Sequence, residues 1–110
     1  MWSRIVIYYR VIYILFIEDS RKILSDGNMH LLSDHVGRNW KPLARRLGFH
    51  EGDIDCFEFD NRFHGLREII WKMLSEWRER NAERATLCAM ADALIALKLY
   101  DIAALLDEFG

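Results

Sequence analysis

The sequence is poor in residues that interrupt helices, because its 110 residues include one proline and six glycines. Leucine, alanine, arginine and glutamate, which all favour helices, dominate its second half. It also lacks the low hydrophobicity of a disordered chain, since 52% of its residues are hydrophobic. A chain of this length buries about 65% of the surface that its unfolded form exposes. These features predict one all-helical domain.

The sequence also has little net charge and few cysteines, and both features limit the functions that the protein can have. The formal net charge is -2, so no global field draws the protein to nucleic acid or to anionic lipid. Cys56 and Cys88 are too few by themselves for a four-ligand zinc site, and a core of this size does not need a disulfide. We expect two reduced thiols at apolar or half-buried positions in a cytosolic protein, with one disulfide as the alternative.

The first 24 residues are an apolar segment without a clear period. Residues 5–17 are apolar or aromatic apart from Arg10. As a helix they would reach about 20 Å, short of the roughly 30 Å hydrocarbon core of a bilayer. No small-residue cleavage site follows them, which disfavours a signal peptide. We assign residues 1–24 to an extension of unknown role, appended to or packed on a domain of residues 25–110, with a membrane or secretory role as the weaker alternative.

Hydrophobic periodicity predicts the first two helices of this domain. The first follows a turn at residues 26–28 and is followed by Gly37, a plausible residue to end a helix. The second begins after Asn39 as its N-cap and ends at Gly48. The inward positions are Met29, Leu32 and Val36 in the first helix and Trp40, Leu43, Ala44 and Leu47 in the second.

Four more helices are predicted from similar signals. The third begins poorly at His50, although Asp53 occupies the position of a capping-box carboxylate. Thr86 and Asp101 are the predicted N-caps of the fifth and sixth helices. Short connections make the helices antiparallel neighbours in a compact bundle. The inward positions are Ile54 and Phe57 in the third helix, Leu66, Ile70, Met73, Leu74 and Trp77 in the fourth, Leu87, Met90, Ala91 and Leu94 in the fifth, and Ile102, Leu105, Leu106 and Phe109 in the sixth.

The second and third helices carry charges of opposite sign. Complementary patches on different faces favour head-to-tail contacts between molecules, which need not close into a ring. Ordinary solvated helix faces are the alternative explanation of these charges. The basic set comprises Arg38, Lys41, Arg45 and Arg46. The acidic set comprises Asp53, Asp55, Glu58 and Asp60.

Several motifs in order across residues 31–106 resemble a death domain. They are the segments VGRNWKPLARRLGF, DIDCFEFDN, GLREIIWKMLSEW and ATLCAMADALIALKLYDIAALL. Within that family the segments are most similar to the Fas-associated adaptor, receptor-interacting kinase and immune-deficiency-type groups. The resemblance implies an antiparallel six-helix bundle with a Greek-key helical topology, in which Trp40 and Trp77 match core tryptophans. His50 departs from the family pattern, where serine or threonine is the usual cap, and the apolar N-terminus matches nothing in it.

The resemblance also implies a function by assembly, without catalysis, cofactor or metal. It predicts a cytoplasmic adaptor module that recruits other death-domain proteins, whether receptor, kinase or adaptor, in apoptotic or innate-immune signalling. Self-association is compatible with this function, nucleic acid is not a partner, and a membrane is reached only through a receptor. The basic set matches the docking surface around the second helix, and the acidic set matches the one on the third. A further contact is expected at Arg67, Lys72 and Glu76 on the fourth helix.

Two other function classes fit the residues less well. Residues 43–48 followed by a short helix resemble a helix-turn-helix DNA-binding module, but the acidic set on the helix that would enter the groove would be repelled by phosphate. An enzyme is disfavoured because neither Cys56 nor Cys88 has an evident base and anion hole. The four histidines lack a close metal-ligand pair with a third partner.

Overall fold

The computed structural model describes residues 21–106, and over this range the protein is built from helices. Short 3-10 turns at Gly37–Asn39 and Ala82–Arg84 lie between some of them. The all-α fold class predicted from the sequence is confirmed by this element order. The α-helices are α1 (Asp26–His35), α2 (Trp40–Arg46), α3 (Glu51–Asp60), α4 (Leu66–Asn81), α5 (Leu87–Ala96) and α6 (Tyr100–Ala103).

Helix α1 begins earlier than the sequence predicts. Ser25 is its N-cap, and the Ser25 hydroxyl accepts a hydrogen bond from the Asn28 backbone N–H at 3.1 Å. This bond satisfies a donor of the first turn, so residues 26–28 start the helix and the predicted turn there is wrong. The predicted inward residues Met29, Leu32 and Val36 are all buried.

Helix α4 is the centre of the bundle, because it packs against both α1 and α3. Ile70 and Trp77 lie in the core as predicted. Leu66 does not: it is 42% exposed, because as the first residue of α4 it lies at the end of the helix. Ile69, which the predicted stripe leaves out, is 7% exposed and packs with the core.

Helix α5 begins as predicted, and α6 does not. The Thr86 hydroxyl accepts from the Ala89 N–H at 3.1 Å, so Thr86 caps α5. Lys98 has a left-handed backbone with φ of 62°, and the Leu99 N–H then bonds back to the Leu94 carbonyl oxygen at 2.9 Å. This tight turn starts α6 one residue before the predicted cap, so Asp101 lies inside it.

The end of the chain differs from the prediction in a second way. Helix α6 has four residues, and Leu105, predicted to point inward, is 40% exposed after its end. Ile102 is half-buried, and Leu106 is buried. Phe109, also predicted to point inward, lies outside the described residues.

Residues 21–24, which the sequence assigns to the N-terminal extension, run beside the start of α5. The Leu24 N–H donates to the Ala85 carbonyl oxygen at 2.9 Å, and the Leu87 N–H donates to the Lys22 carbonyl oxygen at 2.8 Å. The Leu24 side chain is 1% exposed and belongs to the core. Residues 1–20 of the predicted extension lie outside the described residues. Across residues 21–106, no helix is both long enough and apolar enough to cross a membrane.

Candidate protein-interaction surface

The core anchors α2 so that its basic residues face outward. Trp40, Leu43 and Ala44 are buried, with Trp40 3% exposed. Because the helical period separates the two sides of α2, Arg45 and Arg46 are exposed. The third basic residue of the helix, Lys41, is half-buried. Arg38 precedes α2 in the 3-10 turn and is also exposed.

Ion pairs join two residues of the basic set to carboxylates of α3 at the boundary between α2 and α3. Lys41 Nζ lies 3.1 Å from both carboxylate oxygens of Glu58. Arg45 forms a bidentate ion pair with Glu51, in which Nε lies 2.5 Å from Oε1 and Nη2 lies 3.3 Å from Oε2. The sequence predicts opposite charges on different faces, whereas the fold neutralises part of each set where the two helices meet.

The pair of Arg45 with Glu51 shifts both ionisations. The hydrogen bond from the Arg45 guanidinium, with the attraction of its charge, lowers the pKa of Glu51 below its ordinary value. The same hydrogen bond raises the pKa of Arg45. Glu51 belongs to neither predicted charged set, so its contact with the basic set is found only in the fold.

Asp53 links α3 to α4 through its carboxylate. Its carboxylate accepts from the His50 backbone N–H at 3.1 Å, as the predicted capping box requires, and from Arg80 of α4 at 3.2 Å. The Arg80 hydrogen bond, followed by the His50 backbone bond, lowers the pKa of Asp53. Arg80 also bonds Glu76 at 3.0 Å, and its pKa is raised by the Asp53 and Glu76 hydrogen bonds. Sequence analysis missed Arg80, although Glu76 four residues earlier is a signal for such a pair.

Four of the predicted charged residues remain exposed and without an ion pair anywhere in residues 21–106. Arg38 and Arg46 belong to the basic set, and Asp55 and Asp60 belong to the acidic set. Exposed charges without an internal partner can pair with a second molecule without first breaking an ion pair within this one.

The predicted third contact does not form one cluster. Arg67 Nε donates to Asp34 of α1 at 2.6 Å, and its Nη2 lies 2.9 Å from Nδ1 of His30. Lys72 lies 3.9 Å from Glu68, and Glu76 bonds Arg80. Arg67 thus faces α1, whereas Glu76 belongs to the network that reaches α3.

These surface charges suit contact with another protein better than metal binding or DNA binding. In the described part of the chain, no group of three histidine, cysteine, aspartate or glutamate side chains is placed to hold a metal ion. Helix α3, which a helix-turn-helix module would set against DNA, presents Asp55 and Asp60 to solvent. Cys88 is half-buried as predicted, but Cys56 is exposed, because it lies on the outer side of α3; both thiols are free.

Comparison with known proteins agrees with this geometry. The model of the Death domain family matches residues 26–110. The chain belongs to the death domain family. It is 34% identical over 77 residues to human receptor-interacting serine/threonine-protein kinase 1, covering 69% of this chain and 12% of the kinase. It is 30% identical over 80 residues to bovine FAS-associated death domain protein, covering 73% of this chain and 38% of that protein.

A receptor is similar over a shorter range. Bovine tumor necrosis factor receptor superfamily member 1A is 49% identical over 49 residues, which are 44% of this chain and 10% of the receptor. The chain therefore spans well under half the length of each of these three relatives. Death domains interact with other death-domain proteins, and the chain is a death-domain protein-interaction module of signalling. Such modules are generally non-enzymatic.

Proposed function

We propose that this death domain is the recruiting part of a cytoplasmic adaptor in apoptotic or innate-immune signalling, and that it catalyses no reaction. The observation that carries the proposal is the exposed, unpaired state of Arg38, just before α2, and of Arg46, the last residue of α2. These cations meet carboxylates on the death domain of a partner. Asp55 and Asp60 offer the opposite sign to a further molecule.

The paired residues act differently from the unpaired ones in this mechanism. Arg45 and Lys41 contact the partner only by exchanging Glu51 and Glu58 for carboxylates of the partner. Each such exchange replaces one exposed ion pair by another, so it adds little affinity. The internal ion pairs with Glu51 and Glu58 hold these two cations in an extended position before the partner binds. We therefore assign affinity chiefly to Arg38 and Arg46, and orientation to Arg45 and Lys41.

Capture by a purified death domain tests this proposal. The baits are the death domains of receptor-interacting serine/threonine-protein kinase 1 and of FAS-associated death domain protein, immobilised and exposed to the full chain. Arg38→Glu should lose capture by at least one bait that holds the parent, whereas Arg38→Lys should retain most of it, because the positive charge that steers association remains. Lys98→Glu is the control, since it makes the same charge change at an exposed position after α5.

Circular dichroism and thermal unfolding of each variant accompany the capture experiment. Arg38 is exposed and unpaired, so we expect the parent helix content and midpoint in both of its variants. Capture of Arg38→Glu at the parent level, or equal loss with Lys98→Glu, would show that this surface plays no part in recognition.

A further inference from the structure

The arginines from residue 38 onward differ in whether the fold gives them a partner. Most of them bond a carboxylate or a carbonyl oxygen, as Arg78 does with Asp26 at 2.7 Å. Arg38, Arg46 and Arg84 are exposed and have no ion pair with any described residue. Two of these three, Arg46 and Arg84, line the same cleft. Two cations that share a cleft repel each other unless an anion lies between them.

This cleft lies where the ends of α2 and α4 meet the middle of α5, and we call it the arginine cleft. Its volume is about 290 Å³. Arg46 is the last residue of α2, and Arg84 is the last residue of the 3-10 turn after α4. Ala82, with a left-handed φ of 47°, ends α4, and the turn that follows it brings Arg84 to the cleft. Two separate elements therefore supply the two cations.

The exposed lining of the arginine cleft is mainly polar. Trp77 and Ala93 belong to its wall, but they are only 3% and 5% exposed. Asn81 is half-buried, and its Nδ2 donates to the Trp77 carbonyl oxygen at 2.8 Å. The side chains that a ligand could contact most freely are Arg46 and Arg84. A cleft of this kind, at the small end of the range for ligand pockets, suits a small anion better than an apolar group.

Asp92 reduces the charge of the cleft but leaves both arginines open. It is exposed on α5 and lines the same cleft, and it forms no ion pair with Arg46 or Arg84. The cleft therefore keeps one net positive charge. The carboxylate should weaken the attraction for an anion without occupying either guanidinium.

A phosphate monoester fits two arginines better than a carboxylate does. A guanidinium is a planar fork that binds carboxylate or phosphate through two parallel hydrogen bonds. The two oxygens of a carboxylate lie in one plane and satisfy one fork. The three terminal oxygens of a phosphate monoester point in different directions, so they can serve two forks that come from different elements. At neutral pH the group carries about 1.5 to 2 negative charges, which can balance both cations.

We propose that the arginine cleft binds a phosphate monoester, held by Arg46 and Arg84. The source of this group is either a phosphorylated side chain of a protein or a small phosphorylated molecule, because both present the same oxygens to the cleft. The site goes beyond the proposed function, in which Arg46 meets carboxylates of a partner and Arg84 has no role.

Nuclear magnetic resonance of the full chain tests the site, with the Nε–Hε signals of arginine as the readout. Inorganic phosphate replaces sodium chloride at constant ionic strength, so that screening stays the same. The signals of Arg46 and Arg84 should shift along one saturating curve. The signal of Arg38, which is unpaired but outside the cleft, should shift little and without saturation. Titrations with glycerol phosphate and with a short peptide of phosphoserine flanked by alanines then identify the source, which is the kind of ester that binds more tightly.

Three substitutions in the cleft have effects of known sign. Arg46→Gln and Arg84→Gln should each raise the Kd for phosphate at least about fivefold, because one of two guanidinium contacts is lost. Asp92→Asn should lower the Kd about twofold or more, because it removes a carboxylate that repels the anion. Arg38→Gln is the matched control, since it makes the same change at an exposed, unpaired arginine outside the cleft, and its Kd should equal that of the parent.

The outcomes separate this site from general attraction and from misfolding. The substituted residues are exposed, so we expect the parent backbone spectrum in each variant. Shifts that never saturate, or that are equal at Arg38 and Arg84, would overturn the site. An unchanged Kd in Arg84→Gln, or a Kd that does not fall in Asp92→Asn, would overturn it as well. Capture by the baits is tested at Arg38 and without phosphate, so the two proposals fail independently.

Discussion

Thr86 and Asn39 are both predicted as N-caps, but only the Thr86 side chain makes a capping hydrogen bond. Thr86 has an extended backbone, with φ of -95° and ψ of 160°, and its hydroxyl accepts from Ala89. Asn39 has φ of -77° and ψ of 3°, because the 3-10 turn before α2 keeps it close to helical geometry. Its side chain makes no capping bond. A capping side chain needs an extended backbone at the N-cap residue, and of these two residues Thr86 has it whereas Asn39 does not.

Replacing the two caps should therefore have unequal effects. Thr86→Ala should lower the free energy of unfolding by about 1 kcal/mol, because it leaves a first-turn N–H of α5 without its acceptor. Asn39→Ala should change it by less than about 0.5 kcal/mol. Urea unfolding followed by circular dichroism measures both. Equal losses in the two variants would contradict the assignment of the caps.

Helix α4 shows how the register of a helix decides the cost of a substitution. Ile70 is fully buried, whereas Leu66 at the start of the helix is 42% exposed. Ile70→Ala should cost about 2–5 kcal/mol, from lost burial and the cavity left behind. Leu66→Ala should cost less than about 1 kcal/mol, since a large part of the removed surface is already exposed to solvent. Thermal unfolding of both variants, compared at one temperature, checks the difference.

The bond between Asp53 and Arg80 joins α3 to α4 and makes that contact sensitive to acid. The pKa of Asp53 is lowered in the folded protein, chiefly by the Arg80 hydrogen bond, below its ordinary value of 3.8. A lowered carboxyl pKa contributes stability that is present above the ordinary value and is lost as the pH falls through the folded value. The contribution should therefore be complete at neutral pH.

Asp53→Asn tests this coupling between the helices. The variant should be less stable than the parent at neutral pH, and the difference should shrink as the pH falls below the ordinary Asp53 pKa of 3.8 and through its lowered folded value. Urea midpoints across this range provide the measurement, with Asp101→Asn as a control at an exposed carboxyl. A stability difference that does not change with pH would show that Asp53 acts through shape rather than charge.

At the scale of the whole molecule, the distribution of charge matters more than its total. The net charge is only -2, yet the fold leaves unpaired cations and unpaired carboxylates in different places. Contacts built on exposed charges are screened by salt, because the Debye length falls from about 10 Å at 0.1 M to about 3 Å at 1 M. Such contacts also steer association and contribute to the choice of partner.

Capture by the baits should accordingly weaken as salt is raised. We expect a steady fall in the association rate between about 0.05 M and about 1 M sodium chloride, with a smaller change in the dissociation rate. Surface plasmon resonance separates the two rates. Sodium chloride has little effect on apolar burial over this range, so capture that is constant or stronger at high salt would indicate an interface dominated by apolar contact.

The periodic signals of the sequence determined the helical fold and most of its core. Trp40, Met73 and Leu94 are buried as predicted, because the apolar stripe of an amphipathic helix must face the bundle interior. The helix ends were less certain: Leu105 and the start of α6 depend on a left-handed turn at Lys98, for which the sequence carries no signal.

Tertiary structure alone decided which charges remain free. The sequence identifies the basic and acidic sets, but ion pairs such as Arg45 with Glu51 depend on the distance and angle between neighbouring helices. Arg80 and Asp53 lie 27 residues apart in the chain, so no local pattern could join them. The stacking of Arg62 on Phe59 likewise appears only in three dimensions. Local periodicity fixes which side of a helix is buried, whereas contacts between helices fix which surface charges can still bind a partner.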